Sequence, residues 1–150
     1  VAPRDLARAL VPAVRRAVDV LPPGSAPARL LAAAEGYLAR DPAAAGEIGR
    51  LSPELERLHR TGVGPAPFAA GAVLGLTSVA FGVDRGMTNA ALTRAAQALG
   101  QRAAWDTARG EPAVRAREAA EAAAWSEARD DLRRLLPLGA LLDALTERAP

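Results

Sequence analysis

The chain has 150 residues, a formal net charge of +2 and no cysteine. That length suits one domain with a core of its own, and the missing thiols exclude disulfides, thiolate metal sites and cysteine nucleophiles. All 19 basic residues are arginine, so P-loop and Schiff-base chemistry, which need lysine, are excluded too. Acids alternate with arginines along the chain, leaving no basic stripe for a phosphate backbone, so nucleic acid is not an expected partner.

Residues 3–21 place Leu6, Leu10, Ala13/Val14, Ala17 and Leu21 at the spacing of one buried helical face. Pro12 falls inside this pattern and predicts a kink or a split. Pro22, Pro23 and Gly24 end it. Ser25 is the expected cap of a second helix over 26–40, which presents Leu30, Leu31, Ala34 and Leu38. Asp41-Pro42 predicts a short helix near 42–50, and Ser52-Pro53-Glu54 repeats that start signal. The helix it opens carries Leu51, Leu55 and Leu58 and ends at Gly62.

Residues 62–83, GVGPAPFAAGAVLGLTSVAFGV, contain no charged side chain. A helix apolar on all sides is buried in a core or in a bilayer. The core reading predicts a central helix over 67–82. A bilayer span needs on the order of 20 apolar residues, and the prolines and first glycines leave too few here. A pair of buried strands broken at Leu76-Thr77 is the remaining reading. Gly71 and Gly75 form a G-x-x-x-G pair, with Gly82 a heptad beyond Gly75, and small residues so spaced let a neighbouring helix approach closely.

Thr88 or Asn89 is the expected cap of a helix over 89–109, with Leu92, Ala95/Ala96, Leu99 and Ala103 inward. Gly110 stops it and Glu111-Pro112 restarts the chain as a helix over 112–136. The seam there is Ala113, Ala116, Ala120, Ala124, Ala128, Leu132 and Leu135, with Arg117–Glu121 and Asp130–Arg134 as i,i+4 pairs. The two Ala-rich helices should fold back as a close antiparallel hairpin. Pro137 precedes a last short helix over 138–148, packing Leu141, Leu142 and Leu145.

His59 is the single histidine and lacks companions for a zinc site, so no metal is expected. Its expected role is a cation at a helix C-terminus. The enzymatic reading gathers His59, Asp84 and Arg85 as catalytic candidates around the central stretch, which only a broken central element would unite. No serine stands in G-x-S-x-G, no cofactor fingerprint is complete, and no cofactor is expected. Trp105 and Trp125 are the only tryptophans. Either they plug gaps that alanines leave, or Trp105 is an aromatic anchor beside Arg102 or Arg109, residue types enriched in binding hot spots.

The Ala-rich pair, RAAQALGQRAAWDTARGEPAVRAREAAEAAAWSEARDDLRRLL (94–136), resembles the helical half of small immunity proteins from actinobacterial toxin systems. LVPAVRRAVDVLP and RLLAAAEGYLAR, within residues 6–40, are similar to their N-terminal helices. The all-arginine, alanine-rich composition also fits a high-GC bacterial genome. The resemblance implies a protein that binds and neutralises a cognate toxin, and it assigns no functional residue.

The expectation is therefore all-α: a compact multi-helix bundle around a buried central apolar helix, with residues 1–150 as a single helical domain. The first functional expectation is a non-enzymatic interaction module, an immunity or regulatory protein, binding a protein partner or a second copy through Arg102, Trp105 and Arg109. The second is a small helical enzyme or binder of a hydrophobic small molecule, with a pocket beside residues 66–82 lined by Phe68, Phe81 and Trp105. No membrane association is expected. Arg4, Arg8, Arg15 and Arg16 break the first apolar run, so no signal peptide is read and a cytoplasmic location is expected.

Overall fold

The computed structural model describes residues 2–137, which form six α-helices and no strand: α1 (Pro3–Asp19), α2 (Ala26–Leu38), α3 (Ala44–Thr61), α4 (Ala66–Ala80), α5 (Met87–Trp105) and α6 (Glu111–Leu135). The helix expected over 138–148 lies outside the described residues. All six helices contribute to one hydrophobic core. No helix among the described residues is long and apolar enough to cross a membrane.

The periodic face of α1 is buried as its spacing predicts, through Leu6, Leu10, Ala13, Val14 and Ala17. Pro12 does not split the helix. It removes only the bond to the Arg8 carbonyl, and Leu10 and Val14 on either side are completely buried, so packing holds the helix through the defect. Ser25 caps α2 by accepting from the Ala28 N–H at 3.3 Å.

The two helices expected over 42–62 are one. Ser52 does not open a helix; its hydroxyl donates to the Ile48 carbonyl one turn back at 2.6 Å, the habit of a mid-helix serine. Pro53 is exposed, as is Gly49, so the carbonyl left without a donor by the proline faces water, where the loss is cheap.

α4 is the uncharged centre, a single 15-residue helix with eleven buried positions. Gly75 does what its spacing predicts. A Cβ there would lie 3.0 Å from the Ala91 Cβ and 3.2 Å from the Ala91 Cα, so α5 approaches α4 backbone to backbone. Gly82 has a different task from the glycine stripe. At φ 71° it terminates α4 as a Schellman cap, with Val83 N–H bonding the Ser78 carbonyl and Gly82 N–H that of Val79, both at 3.0 Å, a conformation glycine adopts without strain.

α5 starts at Met87 rather than 89, and neither Thr88 nor Asn89 caps it; the turn before it is held by Asp84, whose Oδ1 accepts from the Gly86 N–H at 2.8 Å. α5 and α6 form the antiparallel hairpin. Gly100 makes room for α6, since a Cβ there would meet the Glu121 Cγ at 2.7 Å and the Arg117 Cγ at 2.9 Å. Those two stems lie over the glycine and do not pair as expected. The pairs on α6 are Glu111–Arg115 at 2.8 Å, Asp131–Arg134 at 3.1 Å and Asp130–Arg133 at 3.6 Å. Of the predicted seam only Ala124, Ala128 and Leu132 are buried; Ala113, Ala116 and Ala120 are half-buried and Leu135 is exposed.

Candidate functional site

The register of α4 against α5 decides what the far end of α5 does. Gly75 faces Ala91 and Gly71 faces Arg94, so α4 begins, at Ala66, roughly opposite Gly100. Trp105 lies seven residues after Ala98 and fourteen after Ala91, on the same helical face, and both alanines are completely buried. Trp105 thus continues the stripe that packs on α4, but about 7 Å past the point where α4 runs out. It is 73% exposed and is not a plug in the core. Trp125 takes that role, half-buried against the core.

Beside Trp105 opens a cleft of about 420 Å³, lined by Gln101, Ala104, Trp105, Thr107 and Arg109. Its floor is built locally. The Thr107 hydroxyl donates to the Ala103 carbonyl at 2.7 Å, and Gly110 turns the chain into α6 at φ 91°, where a side chain would be strained. Arg109 is exposed and makes no hydrogen bond or ion pair among the described residues. Arg102 is differently employed. Its Nε donates to Asp106 at 2.9 Å and its Nη1 to the Val20 carbonyl at 3.1 Å. Val20 is the C-cap of α1, so Arg102 supplies a donor to a helix end that lacks one and braces α5 against α1.

The catalytic candidates are not brought together. His59 sits over the first turns of α4, whereas Asp84 and Arg85 follow its last. The unbroken 15-residue helix between them is about 22 Å long. His59 Nδ1 stands 2.8 Å from the Pro67 carbonyl. A carbonyl can only accept, so Nδ1 carries the proton and ties the end of α3 to the start of α4. Gly71 makes this possible: a Cβ there would meet the His59 ring at 2.7 Å and the Arg94 Cδ at 2.6 Å. The proximity of Arg94 was not legible from the sequence, because Arg94 looks like any solvated arginine until the register is known.

The residues expected to line a pocket beside α4 are also apart. Phe68 packs into the core at the first turn of α4. Phe81, 40% exposed at the other end, meets Tyr37 edge-on with ring centroids 4.6 Å apart. The Arg4 guanidinium lies 4.5 Å above the same Tyr37 ring, a cation–π contact that covers this end. Five well-formed clefts on the described residues are lined by the other helices, and none includes a residue of α4. Ala69, Ala72, Val73, Leu76 and Val79 are completely buried instead. No cluster of metal-ligating side chains occurs among the described residues.

Comparison with family models, curated proteins and solved structures finds no match to this chain.

Proposed function

We propose that the chain is a protein-interaction module that binds a cognate protein partner, as an immunity or regulatory protein does, and that the Trp105 face is where it binds. One observation carries the reading: the largest side-chain type in the chain stands 73% exposed at the end of an otherwise buried stripe. Leaving an indole in water forfeits the stabilisation its burial would bring, roughly 25 cal/mol per Å² of apolar surface. Burial against a partner recovers it, which is why tryptophan is enriched in hot spots. Arg109 on the same cleft supplies the charge that orients a partner. Arg102 belongs to the scaffold beneath them.

The test is capture from the native cell with the tagged wild-type chain and with its Trp105→Ala variant. The expected result is a protein held at stoichiometric level by the wild type and lost with Trp105→Ala, while circular dichroism and melting temperature stay unchanged. Equal capture by the two chains removes this surface from the binding site. Concentration-dependent sedimentation that disappears in Trp105→Ala identifies the partner as a second copy.

A further inference from the structure

We infer that the Trp105 cleft takes an acidic segment of the partner protein, placing a carboxylate on Arg109 and an apolar side chain on the indole. The inference rests on the Trp105 face being the binding surface and adds the chemistry of its occupant.

The argument is one of charge placement. Two acids flank the cleft in sequence, and each is held by another arginine: Asp106 by Arg102 at 2.9 Å, Glu111 by Arg115 at 2.8 Å. Arg109, which lines the cleft itself, has no acid in ion-pair range among the described residues. The surface pairing around the cleft is thus closed, and the guanidinium left over is the one beside the exposed indole. A planar guanidinium presents its donors in a fork that fits a carboxylate in two bonds.

A nucleic acid fits worse. Affinity for a polyanion is built from several phosphate contacts, and this cleft offers one cation with Asp106 and Glu111 close by. A second copy using the same patch also fits worse, since the acids it would bring, Asp106 and Glu111, are already held by Arg102 and Arg115.

Random peptides displayed on phage are selected against the immobilised full chain and then depleted on its Trp105→Ala variant. The survivors are synthesised and titrated against wild type, Arg109→Gln and Arg109→Glu. Both residues are exposed, and circular dichroism verifies that each variant folds. The expected survivors carry Asp or Glu next to an aromatic or aliphatic residue. Their Kd rises about fivefold in Arg109→Gln, the upper range for an exposed ion pair, and further in Arg109→Glu. Their salt dependence is lost with the charge.

Survivors without acids, or with affinity indifferent to residue 109, overturn the acidic occupant and leave the Trp105 surface standing. No Trp105-dependent survivor overturns both. A single-stranded oligonucleotide that binds through Trp105 and Arg109 where the acidic peptides fail overturns the choice of a protein segment.

Discussion

Arg40 stands where the chain wants a glycine. It follows the C-cap of α2 at φ 66°, while its own N–H bonds the Tyr37 carbonyl at 3.0 Å and the Asp41 N–H bonds that of Gly36 at 2.9 Å. This is the same cap that ends α4, where Gly82 fills the left-handed position. An L-residue pays about 1–2 kcal/mol for that conformation, part of which glycine returns through the greater freedom of its unfolded state. Arg40 is exposed and its side chain makes no hydrogen bond, ion pair or ring contact among the described residues. Arg40→Gly is therefore expected to stabilise the fold by about 0.5–1 kcal/mol, read as a higher midpoint in urea at unchanged slope. A lower midpoint would mean that the arginine contributes something the strain conceals. His59 carries a related lesson. From sequence it reads as a cation on a helix end, but its bond to the Pro67 carbonyl depends on how α3 turns into α4, which no spacing records.

Glycines in helices have opposite meanings here, and the contrast yields a prediction with a sign on each side. Gly46 of α3 faces open space, whereas a Cβ on Gly75 of α4 would press on the backbone of Ala91. Gly46→Ala should stabilise by roughly 0.5–1 kcal/mol through helix propensity alone. Gly75→Ala gains the same propensity but forces apart two helices in backbone contact, an overpacking cost of about 1–3 kcal/mol, so a net loss is expected. Thermal denaturation of the two variants decides it, and a stabilised Gly75→Ala would show that α4 and α5 are free to separate. The spacing of Gly71 and Gly75 made a close approach legible. It did not show that Gly75 admits a backbone while Gly71 admits two side chains. The prolines inside α1 and α3 break neither helix for different physical reasons: Leu10 and Val14 pack α1 into the core on either side of Pro12, while Pro53 leaves its unbonded carbonyl on the exposed face of α3. Trp105 was ambiguous because its exposure depends on where α4 begins against α5. Such inter-helix register is set by contacts distant in sequence.

At the scale of the whole molecule, α6 lies along α5 as the second arm of the hairpin, but it buries only Ala124, Ala128 and Leu132 fully, and its second half also reaches α1. One ionic junction reinforces the contact. Arg16 of α1 donates from Nη2 to Asp131 at 2.8 Å. Its Nε lies 3.0 Å from Glu127 but in an orientation that makes no hydrogen bond, so Asp131 is the directional partner. Asp131 also accepts from Arg134 at 3.1 Å, and its side chain is only 15% exposed. Burial by itself raises the pKa of this carboxyl, and the hydrogen bonds and charges of Arg16 and Arg134 outweigh it, holding the group below the ordinary aspartate value. A carboxylate depressed in the folded state contributes stability that is fully present above its unfolded pKa, about 3.9, and that is lost as pH falls through the folded value. The junction should therefore hold α6 to α1 at neutral pH and release it in acid. Asp131→Asn keeps the shape and removes the charge, and is expected to cost about 1–2 kcal/mol at neutral pH. The same substitution should flatten the decline of stability below about pH 4. Urea denaturation of both chains at neutral pH and in acid measures the two effects together. If Asp131→Asn loses stability in acid as steeply as the wild type, the acid sensitivity belongs to other carboxylates and the Arg16–Asp131 contact does not hold α6 in place.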